Sequence, residues 1–262
     1  MATVAFVREP APSLAHCELT HLEREPIDSA RARDQHRLYV AGLEALGCRI
    51  EWLAPLPGHA DGVFVEDTAV LVPELAVIGR PGIASRRGET DSSAAALAAR
   101  VPLARIKAPA TLEGGDVLRI GRTLYVALSG RTNRAGVAQL AAALAPVGYT
   151  VRSVALSGCL HLKSACTWIP PDVLLVNSSW VDATLFDVAT VQEVDQAEPY
   201  AANTLTLGGV TLVSADFPRT RQRLEDAGVT TRAMKVSELH KAEAALTCMS
   251  LLLEVPQALA MT

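Results

Sequence analysis

The sequence is poor in aromatic residues and in cysteine, and its charges are nearly balanced. Only 4% of the 262 residues are aromatic, and 24 Lys and Arg stand against 28 Asp and Glu, a formal net charge of −4. Nucleic-acid-binding proteins usually present a basic face or an aromatic stacking surface, so we expect no nucleic-acid partner. The five cysteines contain no CxxC pair. This sparse, odd count argues against a disulfide framework and a structural zinc site, and favours a reducing compartment.

Long apolar runs and linkers are also missing. The first apolar stretch ends at Arg8, and the late run over residues 249–253 is interrupted by Ser250. Both are shorter than a signal peptide or a transmembrane helix requires, so the sequence predicts a cytoplasmic protein with no membrane partner. No Pro/Ser-rich segment or charge run divides the chain. Half of the residues are apolar, which suffices for a full core, and we expect one domain over residues 1–262.

Strand-like and helix-like stretches alternate along the chain. Short apolar runs around a proline or glycine predict hairpins at 68–71 with 75–78, 118–120 with 123–128, and 205–207 with 210–213. A further buried strand is predicted at 173–176. Helices are predicted over 92–100, capped by Thr90 or Asp91, and over 135–144 and 219–226. This alternation predicts an α/β fold.

Polar or reactive residues open the successive strand units at similar intervals. These residues, spaced 42 to 48 positions apart, are Glu66, Glu113, His161, Asn203 and Cys248. Such a period indicates a repeat architecture such as a propeller, although ordinary α/β alternation also produces similar spacings. The likeness of SRR at 85–87 to SGR at 129–131 favours the repeat. In a closed ring of five units, the five openings would converge on the central axis.

Three of these residues could carry chemistry. Cys248 lies among apolar residues, where a cysteine is usually a small core side chain, but it could also be a thiolate nucleophile. His161 has the same two interpretations, as a core histidine or as the acid/base partner of the thiol. Glu113 precedes Gly114-Gly115 and is either a turn residue or a carboxylate that orients His161 and favours its charged form.

A second group of charged residues could bind an amino acid with a cationic side chain. The adjacent acids Glu66 and Asp67 are costly to bury without a cation, and a planar guanidinium suits such a carboxylate pair. Arg86 and Arg131, in matching turns, could bind an α-carboxylate, and Asp61 an α-amine. Each of these residues could instead be a solvated surface or turn residue.

Seven strings in order along the chain resemble the dimethylarginine dimethylaminohydrolase family of the guanidino-group-modifying superfamily. They are DGVFVEDTAVL, RPGIASRRGET, LEGGDV, SGRTNRAG, LHLKS, YAAN and LTCMSL. The resemblance covers nearly the whole chain and implies a five-bladed pseudo-symmetric α/β propeller, in agreement with the repeat.

The resemblance also implies a role for each matching residue. Cys248 is expected to be the nucleophile, His161 the acid/base and Glu113 its partner. The residues expected to bind substrate are Leu19 through a backbone carbonyl in a mobile lid, Asp61, Glu66, Asp67, Arg86, Arg131, and Ala242 through its backbone. One departure stands before the cysteine: residues 242–245 read AEAA, where the family usually has an Asp-Gly pair. The loss of glycine there puts the role of Ala242 and the substrate preference in question.

The expected activity is therefore hydrolysis of Nω-methylated arginine to citrulline and methylamine or dimethylamine, through a covalent cysteine adduct and without cofactor or metal. Two alternatives remain at this point. One is an arginine deiminase-like hydrolase of another guanidine, and the other is a catalytically silent guanidine-binding protein on the same fold. The only partner expected is the small-molecule substrate, and the oligomeric state stays open, with a homodimer among the options.

Overall fold

The computed structural model describes residues 2–256. Its fifteen strands are β1 Ala2–Val7, β2 Cys48–Trp52, β3 Ala69–Val72, β4 Leu75–Ile78, β5 Leu103–Arg105, β6 Val117–Ile120, β7 Thr123–Leu128, β8 Thr150–Ala155, β9 Cys166–Ile169, β10 Val173–Val176, β11 Thr190–Glu193, β12 Leu205–Leu207, β13 Val210–Ser214, β14 Thr231–Met234 and β15 Leu251–Val255. Its six α-helices are α1 Ser29–Ala45, α2 Thr90–Ala98, α3 Arg134–Leu144, α4 Leu162–Ala165, α5 Pro218–Asp226 and α6 Ser237–His240.

The strands form five three-stranded sheets with one repeated topology. In each sheet two strands pair antiparallel and the second of them pairs in parallel with a third, as in β3-β4-β5 and β6-β7-β8. Helices α1, α2, α3 and α5 supply the crossover to the parallel strand in four sheets. The predicted five-bladed α/β propeller is therefore confirmed.

The fifth blade is assembled from both ends of the described chain. Strand β1 pairs antiparallel with β15 and parallel with β2. The pairing of Ala2 with Val255 fastens the last strand to the first. The ring is thus closed by backbone hydrogen bonds between strands that are remote in sequence.

The hydrophobic core is divided among the blades, because one amphipathic helix and one small sheet can bury only part of the apolar surface of the ring. The longest helix, α1, begins at the cap Asp28, whose side chain accepts from the Ala30 and Arg31 amides. Tyr39 and Leu43 on the inner face of α1 belong to one of the clusters of buried hydrophobic residues that make up this core. No helix among residues 2–256 combines the length and apolarity that crossing a bilayer requires.

Most predicted elements occur within two residues of their predicted bounds, but one cap prediction was wrong. Helix α2 begins at Thr90 itself, directly after a 3₁₀ turn over Ala84–Glu89. Neither Thr90 nor Asp91 caps it, because the preceding turn already has helical geometry and leaves no extended residue in the cap position.

Candidate active site

The turns that open the blades bring most of the predicted site residues together. Asp67 lies in the 3₁₀ turn before β3, Glu113 before β6, His161 before α4 and β9, and Cys248 in the 3₁₀ turn Thr247–Met249 before β15. A single narrow cavity of about 10 Å³ is lined by seven of the predicted residues: Asp61, Asp67, Arg86, Arg131, His161, Ala242 and Cys248. The equivalent sequence positions therefore do converge in space.

His161 is held as a cation by carboxylates. Its Nε2 lies 2.7 Å from Glu113 Oε2 and 3.8 Å from Asp67 Oδ1. Burial alone would lower the pKa of His161, but the charges of Asp67 and Asp116 and the Glu113 hydrogen bond outweigh it and raise the pKa to about 9. The same hydrogen bond overcomes the effect of burial on Glu113 and lowers its pKa. The pair is therefore an imidazolium–carboxylate pair at neutral pH.

The glycines before β6 allow this close packing. A Cβ on Gly115 would lie 2.7 Å from both Asp67 Oδ1 and His161 Nδ1. The Gly115 amide donates to Asp67 Oδ1 at 3.0 Å. Asp116 accepts from the Leu162 amide at 3.2 Å and from the Ser129 hydroxyl, which fixes the backbone next to His161. Burial raises the pKa of Asp116 to about 6.

Cys248 is partly buried and carries a protonated thiol. The Ala245 amide donates to Sγ at 3.4 Å. Burial, followed by the negative charges of Glu66 and Asp67, raises the pKa of Cys248 to about 12. A bound cation near Sγ would reverse part of this effect, since an opposite charge favours the thiolate.

Arg86 is packed among acidic groups. Its Nη1 donates to Asp67 Oδ2 at 2.7 Å, Nε and Nη2 donate to Glu89, and Nη2 also donates to the Phe64 carbonyl at 3.1 Å. Four of its five N–H groups are thereby engaged. Burial opposes ionisation of Asp67, but His161 and then Arg86 lower the pKa of Asp67 to about 2. Arg86 thus keeps Asp67 negative and has little capacity left for a ligand.

Arg131 and Asp61 contact the backbone segment that covers the cavity, residues 18–22, hereafter the covering segment. Arg131 Nη2 donates to the Thr20 hydroxyl at 3.1 Å, and its Nη1 lies 3.7 Å from Glu113 Oε1. Asp61 Oδ2 accepts from the Glu18 amide at 3.1 Å. Burial raises the pKa of Asp61. The covering segment includes Leu19, which packs against the neighbouring hydrophobic cluster rather than lining the cavity.

Glu66 lies below the cavity rather than in its lining. Its Oε1 accepts from Lys163 Nζ at 2.6 Å and its Oε2 from the Thr247 hydroxyl at 2.7 Å. Asn203 binds the Thr247 amide and hydroxyl at 3.0 Å each. This network fixes the turn that carries Cys248. It also borders a larger cavity of about 540 Å³. We place the chemistry in the smaller cavity, because the larger is lined by neither Cys248 nor His161.

Sequence reasoning missed several residues that share this site. Glu18, Phe64, Leu160, Glu243 and Ala244 line the cavity, and Glu89 holds Arg86 from the next turn. The spacing of Arg86 and Glu89, three residues apart, was a signal that could have been read. Glu243 had no such spacing signal, although it lies in the AEAA segment, which departs from the sequence that the family usually has.

One group of residues has the composition of a metal site. Ligand atoms of Asp67, Glu113 and His161 lie within 4.8 Å of one another. The imidazolium–carboxylate hydrogen bond accounts for this cluster without an ion, since a histidine bound to a metal would be neutral. The absence of a metal from the reaction remains a prediction.

Five small sheets around a central cysteine, histidine and carboxylate group place the protein in the class of five-bladed α/β propellers that modify guanidino groups. No family model matches the chain. It is 39% identical over 251 residues to the N(G),N(G)-dimethylarginine dimethylaminohydrolase of Streptomyces coelicolor, covering 94% of this chain and 95% of that protein. It is 34% identical to the Pseudomonas aeruginosa protein of the same name, covering 94% and 97%.

A solved structure of the P. aeruginosa protein, a cysteine-to-serine variant complexed with citrulline, superposes with a TM-score of 0.91. That comparison has 32% identity and covers 96% of this chain and 99% of the other. The chain belongs to the dimethylarginine dimethylaminohydrolase family.

Proposed function

We propose that this protein hydrolyses Nω-methylated arginine to citrulline and methylamine or dimethylamine through a covalent adduct on Cys248. The observation that carries the proposal is the placement of a thiol and a carboxylate-held imidazolium around one cavity. In the resting state the thiol is neutral and the histidine is charged, and the binding of a cationic substrate starts the reaction.

Binding of the substrate creates the nucleophile. The guanidinium pairs with Asp67, the cavity carboxylate whose pKa is lowest. Its positive charge then lies beside Sγ and lowers the pKa of Cys248 from its resting value near 12. The thiol proton passes to solvent, because His161 is already protonated, and the thiolate attacks the guanidinium carbon.

His161 serves both halves of the reaction. It first gives its proton to the substituted nitrogen, which leaves as the methylated amine while the C–N bond breaks and an S-alkylthiouronium adduct remains. The neutral imidazole next takes a proton from water, whose oxygen attacks the same carbon. The C–S bond then breaks, and the hydroxyl proton of the tetrahedral intermediate passes to the leaving Cys248 sulfur, which releases citrulline and restores the thiol. Glu113 and Asp67 keep the imidazole oriented and basic enough to be reprotonated.

The α-amine and α-carboxylate of the substrate are bound by residues within the covering segment and beneath it. Asp61 and the Leu19 carbonyl take the α-amine, and Arg131 takes the α-carboxylate with the N–H groups that Thr20 leaves available. Arg86 contributes at most its remaining Nη1 hydrogen. Glu66 acts through its charge and its contact with Thr247, and Ala242 lines the wall with its backbone.

The citrulline complex of the P. aeruginosa relative supports citrulline as the product. The test is citrulline formation from monomethylarginine, asymmetric dimethylarginine and arginine, with Cys248→Ser as the control. We expect turnover of both methylated substrates and none by the serine variant. Citrulline from arginine alone would identify a deiminase, and binding without turnover by the parent protein would identify a silent binder.

The domain organisation, the cellular location and the partners of the protein are also proposed. We propose that residues 1–262 form a single domain, because all five blades close into one ring. We also propose a cytoplasmic location, since all five cysteines are free thiols and a reducing compartment keeps Cys248 reactive. The methylated amino acid is then the partner to be sought, with neither nucleic acid nor membrane involved.

A further inference from the structure

The cavity around Cys248 is too small for the substrate as it stands. Its volume of about 10 Å³ corresponds to roughly one water-sized site, and a second cavity that Cys248 also lines has about 90 Å³. Both are well below the roughly 300–1,000 Å³ that pockets for small-molecule ligands typically span. A methylated arginine therefore enters only when part of the wall moves. The covering segment contains no helix or strand, and it is held by side-chain contacts to Asp61 and Arg131.

The most numerous of the contacts to the covering segment come from Glu243. Its Oε1 accepts from three successive backbone amides: Thr20 at 3.0 Å, His21, and Leu22 at 2.5 Å. Its Oε2 also accepts from the Thr20 amide at 3.0 Å. Successive amides that converge in this way form a concave anion-binding nest. The backbone N–H groups of the covering segment therefore point at one carboxylate, which is more than 220 residues away in sequence.

Two features indicate that this carboxylate is held for the contact. Among residues 2–256, Glu243 is the sole non-glycine residue with positive φ, at 54°. Side chains other than glycine adopt this region at a cost, so surrounding contacts must hold it. Within the same described residues, no arginine, lysine or histidine forms an ion pair with Glu243. The amides of the covering segment are thus what compensates its charge.

The geometry points to Glu243 as a positioning residue that latches the covering segment over the substrate. It acts through the backbone of residues 20–22 to fix the Leu19 carbonyl beside Asp61 and Arg131, and so governs the affinity for the amino-acid end of the substrate. It also lines the cavity two residues from Ala245, whose amide donates to Cys248 Sγ. The latch therefore joins the covering segment directly to the turn that carries the nucleophile.

The first test needs no substrate and measures amide hydrogen exchange in the wild type, Glu243→Gln and Glu243→Gly. Glutamine keeps the shape and loses the charge, whereas glycine relieves the positive φ and removes the carboxylate. We expect exchange at Thr20, His21 and Leu22 to accelerate about tenfold in both variants. The glycine variant should do so with an undiminished Tm, because its backbone is relaxed.

Glu193→Gln is the matched control. The Glu193 carboxylate also accepts from a backbone amide and a hydroxyl, both of Ser178. Glu193 lies at the end of β11, away from the site. We expect this variant to leave exchange at residues 20–22 unchanged. Equal exchange at these amides in the wild type and in both Glu243 variants would refute the latch.

The second test is kinetic, and this arm alone rests on the proposed function. In Glu243→Gln we expect KM for asymmetric dimethylarginine to rise about tenfold and kcat to change less than about threefold, because the latch acts on binding and not on the reacting atoms. A fall in kcat with an unchanged KM would overturn the assignment to positioning. Accelerated exchange in a protein that turns over no methylarginine would refute the function and leave the latch standing.

Discussion

Replacing Glu113 by glutamine should lower the pKa of His161 and remove a pH-dependent part of the protein's stability. The substitution keeps an oxygen near His161 Nε2, 2.7 Å from the present carboxylate, but removes its charge. Hydrogen bonds to charged groups contribute about 1.5–3 kcal/mol. At 1.36 kcal/mol per pH unit, the titration midpoint of His161 should fall by about one to two pH units.

The sign of the stability effect follows from the direction of the shift. The pKa of His161 is raised from 6.5 to about 9 by folding. Its contribution to the free energy of unfolding is therefore fully present below pH 6.5 and is lost as the pH rises through 9. The difference corresponds to roughly 3 kcal/mol. Asp67, with its pKa lowered to about 2, acts only at the acid end and does not obscure this window.

The assay combines an NMR titration of the His161 imidazole with urea unfolding between pH 6 and about pH 8.5, because at higher pH the cysteines, whose pKa values folding raises, add their own loss of stability. The wild type should lose stability across this range, and Glu113→Gln should lose much less of it. Citrulline formation by the variant should fall by about 10²–10⁴, the usual contribution of a positioned acid/base group. A midpoint that stays near 9 in the variant would refute the view that Glu113 stabilises the imidazolium.

Three further predictions concern packing, thiol reactivity and the network below the cavity. Gly115→Ala should abolish citrulline formation, because its Cβ would lie 2.7 Å from both Asp67 Oδ1 and His161 Nδ1. Gly58→Ala, whose Cβ meets nothing within 4 Å, is the control and should retain full activity. Alkylation of Cys248 by iodoacetamide should accelerate continuously from pH 7 to 10, since its pKa lies near 12, and a plateau near pH 7 would contradict that value. Thr247→Val should cost about 1–3 kcal/mol in urea unfolding by leaving Glu66 Oε2 without its hydroxyl donor, and an unchanged midpoint would show that water replaces the hydroxyl.

The repeat could be predicted from the sequence because each blade opens with a chemically distinctive residue and four of the five blades contain a short hairpin. Gly121 and the Gly208-Gly209 pair have positive φ, so the turns that they predict follow from backbone sterics alone. The ring also predicted that Glu113, His161 and Cys248 lie near one another, because it brings equivalent positions together, whereas their expected roles came from the family resemblance.

Other features depend on tertiary contacts and were not predicted. The longest helix, α1, buries Gln35 and His36 in its inner face, and these polar residues obscure its apolar stripe. The engagement of Arg86 with Asp67 and Glu89 follows from the fold, since an isolated arginine in a turn is equally suited to a ligand. The Glu243 contact joins residues more than 220 positions apart through a conformation that the residue type disfavours.

The blade that closes the ring sets an order of events during synthesis. Strands β1 and β2 are made before β15, and the edge of β1 that pairs with β15 stays open until the ribosome has passed Val255. The turn that carries Cys248 immediately precedes β15, so the nucleophile is among the last groups to be positioned. Nascent chains should therefore bind no substrate until almost the whole ring has emerged. Until then the unpaired edge of β1 is exposed and is a place where a strand of another chain could pair.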